Sequence, residues 1–191
     1  MAERIRSFIA FDIEDPKVLM EVKRVQDMLI QTGADLKLVK PSNIHITIRF
    51  LGNISPGMVD PIYEKMRQIS FRPFDMEIRG LGAFPTPHRA RVVWMGIRRG
   101  ERELREIFNQ LEPGLRSLGF QPDPKGFSPH ITIARVRTPR NRAELVGCIR
   151  RLADHPFGVV RAESLRLKRS VLTPSGPIYS TLREVRAVGG G

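Results

Sequence analysis

The tetrapeptide His-Ile-Thr-Ile occurs twice in this chain, at residues 45–48 and again at residues 130–133. Each copy lies in a run of β-branched apolar residues, which favours a β-strand. Side chains alternate between the two faces of a strand, so His and Thr share one face and the isoleucines occupy the other. We therefore expect two strands that each bury isoleucines in a core and present an imidazole beside a hydroxyl on the open face.

If the two strands face each other, one cleft holds the same pair of side chains from each copy: His45, Thr47, His130 and Thr132. Histidine titrates near neutral pH, so one ring can act as a base while the other acts as an acid. Threonine hydroxyls donate hydrogen bonds to oxygen atoms on which negative charge accumulates. This combination indicates general acid–base chemistry at a phosphate group.

Several other kinds of site are excluded or disfavoured. Cys148 is the single cysteine, which excludes an intrachain disulfide and a thiolate metal cluster, and its position on the apolar side of a predicted helix indicates buried packing. Neither motif has a carboxylate at metal-ligand spacing, which favours catalysis without a metal or other cofactor. The sequence also lacks a Gly-x-Ser-x-Gly elbow, a Walker loop and a dinucleotide fingerprint.

The net charge of +12 indicates a polyanionic partner, with nucleic acid the leading candidate and an anionic membrane surface the second. Arginine greatly outnumbers lysine, and guanidinium suits bidentate phosphate contacts, which favours RNA. A solubilising surface in a heat-adapted protein is the alternative explanation of the charge. No apolar run approaches the roughly 20 residues that span a bilayer, and the N-terminus lacks a signal peptide's hydrophobic region. We therefore expect a cytoplasmic protein with RNA, not a membrane, as its partner.

Apolar spacing and capping signals predict four helices, over about residues 16–33, 55–69, 104–118 and 141–153. Asp15 and Pro16 mark the start of the first helix, and Pro61 favours a later start for the second. Strand patterns predict the two motif strands and the segments 7–13, 36–39, 74–81, 92–97, 157–171 and 178–188. Residues 80–88 and 119–128 are predicted as loops, and residues 189–191 as a disordered tail.

No Pro/Gly/Ser-rich linker divides the chain into independent domains. The order strand, helix, motif strand, helix, strand recurs loosely in both halves, each centred on one copy of the tetrapeptide. We therefore expect residues 1–191 to form one α+β domain of two pseudo-symmetric lobes, with the motif strands lining a central groove.

Taken in order and spacing, the motifs resemble the 2H phosphoesterase superfamily, specifically the RNA 2′,3′-cyclic phosphodiesterases that are also called 2′-5′ RNA ligases. The resemblance spans nearly the whole chain, and the segments that carry it are residues 8–12, 45–52, 91–96, 127–135 and 172–179. It implies a bilobal α+β fold: a pseudo-two-fold pair of antiparallel sheets, helices packed outside and both motifs in a central cleft.

The resemblance also implies hydrolysis of RNA 2′,3′-cyclic phosphate ends to 2′-phosphomonoesters without a cofactor, with ligation to 5′-hydroxyl RNA ends as the related reaction. His45 would be the proton donor to the leaving 3′ oxygen and His130 the proton acceptor that activates water, although the symmetry of the repeat leaves the reverse assignment open. Thr47 and Thr132 would hold the phosphate oxygens. The expected partner of this monomeric protein is then RNA with cyclic phosphate ends, tRNA fragments included.

Arg135 and Phe50 occupy the family's positions for a phosphate-binding arginine and a base-stacking aromatic residue. Each lies five residues after a motif histidine, which strict alternation places on the opposite face. They reach the cleft only if the strand bulges or ends first. The alternatives are core packing for Phe50 and a surface charge for Arg135. Arg49 has the parity of the motif histidine and is a rival phosphate contact.

The other two histidines, His88 in a Pro-rich loop and His155 just beyond a helix, are expected at the surface and outside the site. The function from another class that fits the same sequence is a non-catalytic RNA-binding protein that uses the basic cleft. A metal-dependent phosphodiesterase is a third hypothesis, which predicts loss of activity in EDTA.

Overall fold

The computed structural model describes residues 1–189 as nine strands and four helices. The strands are β1 (Ile5–Asp12), β2 (Leu36–Leu38), β3 (His45–Ile54), β4 (Phe74–Phe84), β5 (Val92–Arg99), β6 (Ile131–Val136), β7 (Pro156–Ala162), β8 (Ser164–Thr173) and β9 (Gly176–Arg186). The helices are α1 (Pro16–Gln31), α2 (Val59–Arg67), α3 (Glu101–Ser117) and α4 (Arg142–Arg151). Gly189, the first residue of the predicted tail, lies in a turn, and residues 190–191 lie outside the described residues.

The strands form two sheets, one in the order β3-β1-β8-β9 and the other in the order β2-β6-β5-β4-β7, and every pairing within them is antiparallel. Buried apolar residues of both sheets and of the four helices form one hydrophobic core. The first motif begins β3, an edge strand of the four-stranded sheet, and the second motif leads into β6, beside the short edge strand β2. The predicted α+β fold of two antiparallel sheets with helices is confirmed.

Local sequence sets the starts of α1 and α2. The Asp15 carboxylate accepts hydrogen bonds from two backbone N–H groups of the first turn of α1, at 2.9 and 3.0 Å, and Pro16 takes the first helical position as predicted. α2 begins at Val59, after a 3-10 turn at residues 56–58, which is the later start that Pro61 favoured. Pro61 thereby lies in the first turn, where its missing N–H removes no hydrogen bond within the helix.

Strand β4 runs as far as Phe84, so the prediction of a loop from residue 80 is wrong. Two glycines account for the error, because each lets another group approach the strand closely. A Cβ atom on Gly80 would lie 2.7 Å from the carbonyl oxygen of Ala153, and one on Gly82 would lie 2.5 Å from the ring of Trp94. These glycines mark close packing against the strand and not a break in it.

The single strand predicted over residues 157–171 is also wrong, because this segment contains two strands that belong to different sheets. β7 pairs with β4 and β8 pairs with β1, and only Glu163 separates them. The chain therefore passes from one sheet to the other within a nearly continuous extended run. Hydrophobic alternation indicates an extended segment but carries no information about which sheet it joins.

A buried ion pair joins the four-stranded sheet to α3. Arg49 of β3 and Glu112 of α3 have side chains only 8% and 11% exposed, and Arg49 Nε donates to Glu112 Oε1 over 2.6 Å. The same guanidinium donates to the carbonyl oxygens of Phe50 and Gln121. The positive charge of Arg49 is therefore compensated inside the fold and not at the open face of β3.

Glu112→Ala is expected to lower the free energy of unfolding by about 3 kcal/mol or more, because it leaves the Arg49 guanidinium buried without its counter-charge. The matched control on the same helix is Glu106→Ala, which removes an exposed ion pair with Arg102 and is expected to cost less than about 1 kcal/mol. Urea unfolding of the three proteins measures both values. Equal losses in the two variants would contradict the structural role given to Glu112.

Candidate active site

A cleft of about 660 Å³ lies between the two sheets and is lined by both motifs. Six of the seven residues predicted for the site line it: His45, Thr47, His130, Thr132, Phe50 and Arg135. The seventh, Arg49, does not, since its guanidinium is buried against α3. The structure therefore brings together the two histidine–threonine pairs that lie far apart in the sequence.

Each histidine is oriented by a backbone carbonyl two residues earlier in the chain. His45 Nδ1 lies 2.7 Å from the carbonyl oxygen of Asn43, and His130 Nδ1 lies 2.7 Å from that of Ser128. A carbonyl oxygen can only accept, so in both rings Nδ1 carries the hydrogen and Nε2 is the nitrogen left for chemistry. The Pro- and Ser-containing turns before the two motifs thus fix the same tautomer in both.

The first motif also contains a hydrogen bond between its two polar side chains. His45 Nε2 lies 3.0 Å from Thr47 Oγ1, and because Nδ1 already carries the ring hydrogen, the hydroxyl donates to Nε2. A proton arriving at Nε2 would end this bond and leave the Thr47 hydroxyl for another acceptor. The protonation of His45 is therefore coupled to the direction in which Thr47 donates.

The two histidines differ in their aromatic neighbours. The His45 ring packs against Phe8, with centroids 4.9 Å apart, and forms a T-shaped contact with Tyr179 at 5.3 Å, whereas His130 forms a T-shaped contact with Phe84 at 4.9 Å. Burial lowers the pKa of His45 below 6.5, an effect opposed by the bond to the Asn43 carbonyl and by the negative charge of Asp12. Asp12 is the residue paired with His45 across β1 and β3.

A β-bulge in β3 brings Phe50 to the cleft. Ala10 of β1 pairs with Thr47 and Ile9 pairs with Arg49, so Ile48 is an extra residue without a partner. Ile48 and Arg49 are consequently both buried, while Phe50 returns to the face of Thr47 and is 43% exposed. The bulge that Phe50 needs in order to reach the cleft is therefore present. The prediction that Arg49 contacts phosphate from the cleft face is wrong, because the bulge turns Arg49 toward the core.

β6 contains the same irregularity at the same place in its motif. Trp94 of β5 pairs with Thr132 and Val93 pairs with Ala134, which leaves Ile133 as the extra residue. Ile133 and Ala134 are both fully buried, and Arg135 returns to the face of Thr132 and lines the cleft. In each motif, one extra residue directly after the threonine places a further functional side chain, aromatic in one strand and cationic in the other, beside the His–Thr pair.

Residues that sequence reasoning did not assign complete the wall of the cleft. The Arg6 guanidinium lies over the Phe50 ring at 4.8 Å, and Tyr179 forms T-shaped contacts with both His45 and Phe8. Burial raises the pKa of Tyr179, opposed by the positive charges of Arg135 and Arg6. No sequence motif contains Arg6, because its position at the cleft is set by the pairing of β1 with β3. Tyr179 lies in one of the segments that resemble the family, but sequence reasoning assigned no role to this residue.

The remaining predicted positions lie outside the cleft. His88 is exposed and its Nε2 accepts a hydrogen bond from Arg150 at 2.7 Å, whereas His155 is half-buried beside Glu21. Cys148 is buried on α4 as predicted. Among residues 1–189, no helix has the length and apolarity needed to cross a bilayer.

Two antiparallel sheets that enclose a cleft with a histidine from each side define the two-histidine class of phosphoesterase folds. The LigT-like phosphoesterase family matches residues 13–94 and 97–179 of this chain. An RNA 2′,3′-cyclic phosphodiesterase of Aeropyrum pernix is 45% identical over 168 residues, which cover 88% of this chain and 96% of that protein. A protein of the same name from Methanothermobacter thermautotrophicus is 36% identical and covers 96% of this chain and 99% of its own.

A crystal structure of a protein from Thermus thermophilus has the same fold, with a TM-score of 0.79 at 24% identity over 98% of this chain and 100% of that chain. The chain belongs to the LigT-like phosphoesterase family. The resemblance inferred from the two motifs and their surrounding segments is therefore confirmed at the level of the family, and with it the prediction of a phosphoesterase enzyme.

The His45 ring is expected to titrate below pH 6.5, because burial disfavours its charged form. Asp12→Asn removes a negative charge that supports the imidazolium, so it should lower the midpoint further, whereas Asp27→Asn, at an exposed position on α1, should leave it unchanged. NMR titration of the ring resonances measures the three midpoints. A midpoint at or above 6.5, or one insensitive to Asp12, would contradict the environment described for this ring.

Proposed function

We propose that this protein hydrolyses RNA 2′,3′-cyclic phosphodiester ends to 2′-phosphomonoesters by a two-histidine acid–base mechanism that needs no metal or other cofactor. The observation that carries the proposal is the matched geometry of the two motifs, in which a backbone carbonyl holds each Nδ1 and leaves each Nε2 for proton transfer. The names of the relatives from Aeropyrum pernix and Methanothermobacter thermautotrophicus support the substrate class.

In the proposed reaction, water attacks phosphorus on the side opposite the 3′ oxygen. The bond from the water oxygen to phosphorus forms while the bond from phosphorus to the 3′ oxygen breaks, so the phosphate stays on the 2′ oxygen. His130 Nε2 accepts the proton of the attacking water, and His45 Nε2 donates a proton to the departing 3′ oxygen. Exchange of both protons with solvent restores the starting state.

The environment of His45 is compatible with the role of proton donor. Burial lowers its pKa, which makes its imidazolium a stronger acid, and the negative charge of a bound phosphodiester favours the protonated ring before reaction. Protonation of Nε2 also ends its hydrogen bond from Thr47, whose hydroxyl then turns to a phosphate oxygen. The reverse assignment, with His45 as the base, makes the opposite prediction in the leaving-group experiment below.

Other residues of the cleft bind the substrate in this proposal. Thr47 and Thr132 donate hydrogen bonds to the non-bridging phosphate oxygens, where charge accumulates in the transition state. Arg135 supplies a positive charge beside them, and the exposed ring of Phe50, backed by the Arg6 guanidinium at 4.8 Å, stacks on a base. Two lysines also line the cleft, and no Asp or Glu is among the described residues that line it.

The same chemistry extends to ligation. When the 5′-hydroxyl of a second RNA replaces water as the nucleophile, the product is a 2′-5′ phosphodiester and the 3′ oxygen again leaves with the proton from His45. Fragments of tRNA that carry a cyclic phosphate end are one substrate of this kind. The reverse step cleaves the 2′-5′ linkage through the same two proton transfers, with the histidine roles exchanged.

An RNA oligonucleotide with a 2′,3′-cyclic phosphate end, incubated with the protein in EDTA, is expected to yield a 2′-phosphate end that 31P NMR distinguishes from a 3′-phosphate. His45→Ala and His130→Ala should each lower kcat by roughly 10²–10⁴-fold, whereas the control His155→Ala, outside the cleft, should retain activity. Wild-type activity in either motif variant would refute the acid–base assignment. Loss of activity in EDTA would favour the metal-dependent hypothesis, and RNA binding without turnover would favour the non-catalytic one.

A substrate whose leaving group needs no proton separates the two histidine roles. On bis(p-nitrophenyl) phosphate, which releases a stable anion, His45→Ala should lose much less activity than it loses on a cyclic phosphate, because the missing acid is no longer required. His130→Ala should lose activity on both substrates, because water still has to be activated. The opposite pattern in stopped-flow or absorbance assays would reverse the assignment of acid and base.

A further inference from the structure

A second pocket, of about 470 Å³, lies at the end of β6, and half of its lining residues are arginines. We call it the arginine pocket, and its five arginines are Arg89, Arg91, Arg137, Arg140 and Arg142. They come from the 3-10 turn at residues 87–89 and the short connection from it to β5, from the residues after β6 and from the start of α4. No carboxylate is among the lining residues that the structure describes.

Among residues 1–189, these five arginines differ from most other surface arginines in having no carboxylate partner. Elsewhere, arginines of exposed strands and helices pair with carboxylates, as Arg79 and Arg98 do with Asp154. Within residues 1–189, none of the five forms an ion pair, and Arg140 Nε instead donates to the Gly33 carbonyl over 2.9 Å, which fixes its position. Positive charges gathered in one concave surface repel each other and attract anions.

The arginine pocket and the cleft are lined by neighbouring residues of β6. Arg135 lines the cleft and Val136, the next residue, lines the pocket. The backbone N–H of Val136 donates to the Arg91 carbonyl over 2.9 Å, while Arg135 pairs with Val92. Because successive side chains of a strand point to opposite faces, the pocket lies on the other face of β6 from the cleft, close to the end of this strand.

When the cyclic phosphate end of an RNA is bound in the cleft, the rest of the RNA chain extends from the cleft in one direction. A 2′,3′-cyclic phosphate occupies the 3′ terminus of an RNA, so every other nucleotide lies on its 5′ side and contributes a backbone phosphate. We propose that the arginine pocket binds backbone phosphates of the RNA on the 5′ side of the cyclic phosphate end. The inference rests on the proposed function, and it makes an RNA chain a better substrate than a single cyclic nucleotide.

The chemistry of the pocket suits this ligand. Guanidinium groups bind phosphate oxygens through paired N–H donors, and such contacts carry no base specificity. The pocket would thus bind the backbone of any RNA sequence, whereas Phe50 and Arg6 in the cleft would meet the terminal nucleotide. Its contribution should appear in binding and in its salt dependence, because each phosphate contact releases counterions from the RNA.

The test compares a cyclic mononucleotide, which reaches the cleft alone, with an RNA oligonucleotide that ends in the same cyclic nucleotide. The variant combines Arg89→Gln, Arg137→Gln and Arg142→Gln, which leaves Arg140 and its bond to Gly33 intact. It should raise KM for the oligonucleotide roughly tenfold or more and leave kinetics on the mononucleotide unchanged. The slope of log affinity against log salt for the oligonucleotide should fall by about 2, from roughly 0.7 for each lost contact.

The control removes the same number of charges at exposed positions elsewhere: Arg24→Gln, Arg67→Gln and Arg102→Gln. Equal effects of the two triple variants, or no effect of the pocket variant on the oligonucleotide, would overturn the proposal, as would an equal loss on the mononucleotide. Fluorescence anisotropy with the RNA oligonucleotide provides a readout that does not need turnover. If wild type hydrolyses neither substrate but the pocket variant alone loses RNA affinity, the proposed function fails and the binding role of the pocket stands.

Discussion

The functional face of this fold depends on one extra residue directly after the threonine of each motif. Ile48 and Ile133 have no partner on the neighbouring strand, and each bulge turns the following residues by one position. Without them, Phe50 and Arg135 would point into the core, where a guanidinium needs a counter-charge to be tolerated. Because both bulges follow the motif threonine directly, the two halves of the cleft are built in the same way and still present different side chains.

The two motif histidines have the same tautomer but different surroundings. The carbonyls of Asn43 and Ser128 hold both Nδ1 atoms at 2.7 Å. The Thr47 hydroxyl donates to Nε2 of His45, Tyr179 forms a T-shaped contact with this ring, and burial lowers its pKa, whereas the His130 ring packs against Phe84. In the mechanism that we propose, these two rings of the same tautomer divide the roles of acid and base.

The arginines of this chain fall into three groups, which differ in their burial and in whether a carboxylate neutralises them. Arg49 is buried with Glu112 and stabilises the packing of α3 on β3. Many surface arginines are paired with carboxylates, which contribute little to stability and leave little net field. Among residues 1–189, the charges without a carboxylate partner include Arg6 and Arg135 in the cleft and the five residues of the arginine pocket. Net charge by itself indicates an anionic partner, and its distribution indicates where that partner lies.

The sequence alone determined the two His–Thr pairs, the α+β class, most helices and strands and the family, because these depend on local periodicity, capping residues and ordered motifs. The path of residues 157–171 from one sheet to the other, the extension of β4 through its glycines and the burial of Arg49 were decided only by the tertiary structure. Strand register depends on contacts between segments distant in the chain, and a single unpaired residue reverses the face of everything after it. For that reason, strict alternation places His45 and Thr47 on the cleft face, as observed. Beyond the bulge it places Arg49 on the cleft face and Phe50 in the core, which is the reverse of the structure.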